Sequence, residues 1–141
     1  MKYLLDTCVL SELVKPQPEP RVLDWINRRE ETELYIATMT LAELQRGVAR
    51  LPNSPRKSEL SDWLAQMQVG FVGRVLPFTA ETASYWGEMC ARAEVGGHPL
   101  AAFDSLIAAT ALEHGLALVT RNEADFAAAP VVVINPWKQA A

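Results

Sequence analysis

Four carboxylates, Asp6, Glu43, Asp104 and Asp125, stand at or near the points where an apolar segment gives way to a helix. Asp104 is the most informative. It lies in AAFDSLIAATAL, a stretch so apolar that a helix built from it is covered on almost every side. A buried, ionised carboxylate without a partner is costly or takes up a proton, so solvent, a cation or a metal must face it. Four acids cannot converge as free anions either, because neighbouring like charges raise one another's pKa values. A hard divalent cation removes that conflict. Mg²⁺ takes oxygen ligands in octahedral geometry and keeps several waters, and Mn²⁺ behaves similarly. Such an ion activates water and steadies the charge on a phosphoryl group, so the same four acids serve as candidate metal ligands and catalytic residues for phosphodiester hydrolysis.

Other chemistries find little support. Only His98 and His114 are available to a Ser-His-Asp or Cys-His arrangement, and both read better as a loop residue and a helix-end residue. No G-x-x-x-x-G-K-[ST] or G-x-G-x-x-G loop is present to hold a nucleotide. Asp6 is followed by Thr7-Cys8-Val9, which fits neither the D-x-D of a haloacid-dehalogenase motif nor the paired acids of a receiver domain. Cys8 and Cys90 have no metal-binding spacing and read as free thiols. The net charge of -4 does not advertise nucleic-acid binding. It decides little, because an acidic metal site itself lowers the balance, while Arg46 and Arg121 are local cations able to meet RNA phosphates. Arg56 and Lys57 read as a solvated face. No apolar run approaches the roughly 18 residues of a membrane span, and the N-terminus lacks an export signal, so a cytoplasmic location without membrane contact is expected.

The elements that position these acids follow from periodicity. Lys2 to Leu5 reads as a buried strand feeding a helix that runs to Leu13 and is stopped by Pro16, Pro18 and Pro20. Val22, Trp25 and Ile26 mark a helix, Leu34 to Ala37 a second strand, and Leu41, Leu44, Val48 and Leu51 the next helix. Leu60, Trp63, Leu64 and Met67 mark another, and Arg74 to Phe78 a third strand. Thr79 caps a helix whose Ala83, Trp86, Cys90 and Ala93 share a face and which Gly96-Gly97 ends. The Asp104 helix closes at His114-Gly115. Leu116 to Val119 is then a strand, Asn122 to Ala128 a short helix and Val131 to Ile134 a last strand. Short, apolar, non-alternating strands between helices predict an α/β fold with a mostly parallel sheet covered on both faces, as one domain over residues 1–141. Asp6, Glu43 and Asp125 then fall near carboxyl ends of strands, where open parallel sheets bind ligands.

Each acid also has a structural alternative. Asp6 is a good helix cap, Thr40-x-x-Glu43 spells a capping box, and Asn122-x-x-Asp125 has the shape of a capped start. Only Asp104 resists, since compensation of the helix dipole explains an acid in a first turn but not so much apolar surface around it.

With these residues in hand, the chain resembles the PIN-domain family, and within it the VapC-like and FitB-like toxins of bacterial toxin–antitoxin modules. The resemblance rests on YLLDTCVLSEL, on TMTLAELQRG around Glu43, on FDSLIAATALEHGLALVTRNEADF from Asp104 to Phe126, and on the closing VINPW. It implies a three-layer PIN-like fold and a Mg²⁺- or Mn²⁺-dependent endoribonuclease whose cognate antitoxin blocks the site. It further implies a homodimer and a larger toxin–antitoxin assembly. Asp6, Glu43, Asp104 and Asp125 match the family's acidic positions, Thr7 a polar residue beside the first acid, and Thr120 and Asn122 polar residues near the fourth. The chain departs from the pattern at Cys8, where Asn is usual, and at Asn122, where many relatives carry Asp. The first departure keeps open an alternative: a PIN-like module that binds an antitoxin or RNA without cutting it.

Overall fold

The computed structural model describes residues 1–138. Five strands, β1 (Tyr3–Leu5), β2 (Leu34–Ala37), β3 (Val75–Leu76), β4 (Ala117–Val119) and β5 (Val133–Ile134), form one sheet in the order β3-β2-β1-β4-β5. Every pairing is parallel. Parallel neighbours need a crossover that returns the chain to the same edge. Helices supply it: α1 (Thr7–Leu13), α2 (Pro20–Asn27), α3 (Thr38–Ala49), α4 (Pro55–Gly70), α5 (Ala80–Val95) and α6 (Ala102–His114).

Successive strand residues point to opposite faces, so each strand feeds two cores. Leu5, Ile36 and Val119 pack with Val9, Trp25 and Leu64 on one side. Leu4, Ala37 and Leu118 pack with Met89, Ile107 and Phe126 on the other. These strands read as continuous apolar runs because neither face meets water. The sequence-derived boundaries are too generous in three places. The third strand is only Val75–Leu76, the last only Val133–Ile134, and the segment after β4 is a 3-10 turn over Glu123–Phe126 rather than a helix to Ala128.

On α5 the buried residues are Thr82, Met89 and Ala93, whereas Ala83 is exposed and Trp86 keeps 37% of its surface. Trp86, the half-buried Cys90 and Ala93 keep to the inward side, and only Ala83 falls off it; polar pairs tie that side to α6. Thr82 donates its hydroxyl to Glu113 Oε1 at 2.6 Å, and the Trp86 indole N–H donates to Ser105 Oγ at 2.9 Å. Gly115 ends α6 in the left-handed conformation (φ 64°), which lets Leu116 N–H return to the Ala111 carbonyl at 2.9 Å. Arg56 and Lys57 do more than face solvent. Arg56 donates to the Val14 carbonyl at 2.8 Å and Lys57 to those of Ala49 and Leu51, placing cations against the C-terminal ends of α1 and α3. Among the described residues, no helix is long and apolar enough to cross a membrane.

Candidate active site

Because all five strands run the same way, their carboxyl ends share one edge of the sheet, and β1 lies at its centre. Asp6 follows β1 directly and is 4% exposed. Its N–H extends the β1–β4 ladder to the Val119 carbonyl at 3.0 Å. Both carboxylate oxygens are held, Oδ1 by the Thr7 N–H and Oδ2 by the Thr120 hydroxyl, each at 2.8 Å. Asp6 is therefore the cap of α1 and a member of the acidic set at once. Burial pushes its carboxyl above the usual range. The hydrogen bonds from Thr120, Thr7 and Cys8 oppose that rise, and the Asp125 charge adds to it.

Glu43 is half-buried and accepts the Thr7 hydroxyl at 2.6 Å. The capping box read from Thr40-x-x-Glu43 does not form. Helix α3 already begins at Thr38 behind Ala37, so Glu43 lies in its second turn and reaches away to Thr7. Thr40 Oγ1 stays buried without a partner. Asn122 likewise makes no side-chain cap; it contributes its backbone N–H, which donates to Thr120 Oγ1 at 3.1 Å. Asp125 sits exposed in the turn after β4, fixed in place by Phe126, which is buried beneath the sheet.

Asp104 occupies the first turn of α6 and is half-buried. Its carboxyl is pushed up to about 6, first by burial and then by the charges of Asp6, Asp125 and Glu43. All four acids thus act in one electrostatic field. Among the described residues no ion pair involves any of them. An accumulation of negative charge with no ion pair to offset it fits a cation. No three carboxylate, thiol or imidazole groups among the described residues are spaced to enclose an ion by themselves.

Cys8 lies 3.8 Å from Asp6 Oδ2 and 3.5 Å from Thr120 Oγ1, and its sulfur receives the Arg121 N–H at 3.5 Å. Burial and the neighbouring Asp6 push the thiol up, so it is protonated at neutral pH and turns a weak donor toward the acid. Cys8 thus serves as a hydrogen-bonding neighbour of Asp6.

Arg46 and Arg121 lie on either flank. Arg46, one turn after Glu43 on α3, covers the ring of Phe103 at 5.5 Å, and Arg121 covers that of Trp137 at 5.5 Å. Two depressions open beside the acids. One, of about 710 Å³, lies next to Asp125 and is bordered by Arg21, Arg121, Asn135 and Lys138. The other, about 240 Å³, runs between α1, α3 and α4, with Thr7 and Glu43 at one end and Val14, Leu44, Leu60 and Trp63 among its apolar walls.

Two contributors escaped the sequence. Glu12 is buried and held by Lys15 and by the Glu19 N–H, both at 2.9 Å, which keep its carboxyl below the usual range. Its only sequence signal was an acid two residues past the buried Leu10. Asn135 pins the segment after β4 through Glu123 Oε2 at 3.1 Å and the Arg121 carbonyl at 3.4 Å, a long-range contact with no local signature.

The sequence pattern that describes the PIN domain matches residues 3–132. The chain belongs to the PIN-domain family. This PIN domain is 42% identical over 135 residues to Toxin FitB of Neisseria gonorrhoeae, covering 95% of the chain and 97% of that relative. It is 37% identical over 138 residues to VapC ribonuclease Y4jK of Sinorhizobium fredii, covering 97% of the chain and 99% of that relative. Its fold matches the crystal structure of FitAcB from Neisseria gonorrhoeae with a TM-score of 0.93 at 40% identity, over 97% of this chain and 99% of the other.

Proposed function

We propose that this PIN domain is a Mg²⁺- or Mn²⁺-dependent endoribonuclease and the toxin of a toxin–antitoxin pair. The observation that carries the reading is the set of four acids at the carboxyl edge of the sheet, sharing one field and forming no ion pair among the described residues, with Asp104 pushed up to about 6. The names of the two relatives, one a ribonuclease and one a toxin, point the same way. When bound, a divalent cation supplies charge to the scissile phosphate and activates the attacking water.

The chain's own residues supply position. Asp6, tied through both oxygens, and Asp104, fixed on a core-packed helix, would be the main holders of the ion, with Glu43 and Asp125 adding negative charge beside them. Thr7 aims Glu43, Thr120 aims Asp6, and the Asn122 N–H keeps the Thr120 hydroxyl turned inward. Rigid support of this kind sets the site before substrate arrives, which is where most electrostatic catalysis comes from.

With Mg²⁺ or Mn²⁺, the purified chain free of any partner is expected to cut single-stranded RNA, to stop when a chelator removes the ion, and to resume when the ion is restored. Cleavage indifferent to chelation would remove the metal from the reading. No cleavage, together with no saturable Mn²⁺ binding by calorimetry, would favour a module that binds an antitoxin or RNA without cutting. Cys8 motivates that alternative, yet its contact with Asp6 leaves the acid supported.

A cognate antitoxin is the partner that the toxin reading requires. The apolar cleft between α1, α3 and α4 supports it, since a segment filling that cleft ends against Thr7 and Glu43 and closes the site. A homodimer within a larger toxin–antitoxin assembly belongs to the same reading. Exposed Tyr85 and Trp86 on α5 give it an aromatic surface. Size-exclusion chromatography with light scattering is expected to return twice the chain mass, and a strictly monomeric mass would remove the dimer.

A further inference from the structure

The acids repel the backbone they are to cut, so an RNA strand needs cations on its way in and on its way out. The sheet order settles where these can stand. Arg46 follows β2 on one side of β1, and Arg121 follows β4 on the other, with Asp6 at the end of β1 between them. Each arginine is exposed, and neither has a carboxylate partner among the described residues. Each covers an aromatic ring belonging to the site's own framework. Phe103 precedes Asp104, and Trp137 is a buried residue of the segment after β5. A cation–π contact of this kind steadies a guanidinium over the ring while leaving its N–H groups free for phosphate oxygens. The backbone of Arg121 is pinned as well, its N–H by Cys8 and its carbonyl by Asn135.

We propose that Arg46 on Phe103 and Arg121 on Trp137 are two phosphate brackets that draw one RNA strand across the acids from the β2 side to the β4 side. The strand continues past Asp125 into the depression of about 710 Å³ bordered by Arg21 and Lys138. Those two cations are already engaged, by Glu19 at 2.9 Å and Glu123 at 2.7 Å, so they line the exit rather than grip the strand. A single strand fits because its backbone can bend through two fixed points, whereas an A-form duplex presents rigid, regularly spaced phosphates. The inference rests on the ribonuclease reading for its substrate.

The test separates binding from cutting. In the full chain carrying Asp104→Asn, binding of a short fluorescein-labelled single-stranded RNA is followed by anisotropy across a salt series. Arg46→Ala and Arg121→Ala are each expected to weaken it roughly five- to tenfold. Each is also expected to reduce the slope of log affinity against log salt by about 0.7. Arg→Lys at either position restores the slope but only part of the affinity, because charge returns without the planar, bidentate fork. In the cleavage-competent chain, trimming an RNA that it cuts from one end abolishes the penalty of one arginine and spares the other; trimming from the opposite end reverses the pattern. Unchanged affinity and slope in both alanine variants would overturn the brackets, and so would penalties that vanish together whichever end is trimmed. Intact cleavage with unaffected arginine variants removes the path and keeps the nuclease. The predicted binding losses in a chain that never cuts RNA remove the nuclease and keep the path.

Discussion

Replacing Asp104 with Asn is expected to lower RNA cleavage by about 10²–10³-fold or more, the range typical for loss of one preorganised electrostatic group. In the metal-free protein the same change is expected to raise stability at neutral pH. The carboxyl has an ordinary value of 3.8 and rises to about 6 in the fold, so between these values the folded chain binds more protons at this residue than the unfolded chain does. Stability therefore falls as pH increases through that window and stays lower above it. Asp6, also raised, acts in the same direction. The amide has no such titration. Thermal melts from pH 4 to pH 8 should show a flatter profile for Asp104→Asn, and added Mg²⁺ should stabilise the wild type more than the variant. A variant that cuts RNA as fast as wild type would take Asp104 out of the machinery.

Phe126→Ala is expected to cost about 3–5 kcal/mol of folding stability, the usual range for emptying a buried aromatic site. Phe126 is 1% exposed and packs among Leu4, Ile107, Leu118 and Ala129. It also anchors the 3-10 turn that carries Asp125, so cleavage should fall even at temperatures where the variant remains folded. Phe126→Leu, which keeps most of the volume, should lose much less of both. Urea denaturation reads the first effect and single-turnover cleavage the second. A loss of about 1 kcal/mol or less for the alanine variant would mean that the site collapses freely and that the turn is held by something else.

Legibility differed between elements for physical reasons. Leu34 to Ala37 and Leu116 to Val119 read as strands because burial on both faces leaves an unbroken apolar run, and both were found. The face of α5 was read rightly at Trp86, Cys90 and Ala93 but wrongly at Ala83, and it missed Thr82, a polar residue admitted to the buried side by the Glu113 carboxylate on α6. Apolar periodicity cannot register a polar group whose partner lies 31 residues away. Glu43 shows the same limit. Its local spelling with Thr40 promised a capping box, but the helix starts earlier than that spelling implies, and the carboxylate goes to Thr7. Local motifs describe what a side chain can reach within a turn or two, and the fold supplies stronger partners from elsewhere.

The sequence by itself determined the α/β class, the order of the elements and the four acids worth attention, because backbone hydrogen bonding and apolar burial act locally and leave a period in the chain. It also singled out Asp104 as an acid that its own surroundings could not justify. Only the tertiary structure decided that Asp6, Glu43 and Asp125 raise that acid's pKa together, that Cys8 still serves Asp6, and that Arg46 and Arg121 stand on opposite flanks of β1. Those facts depend on the order of strands in the sheet. Electrostatic fields and long-range hydrogen bonds follow distance in space, and no spacing along the chain records that distance.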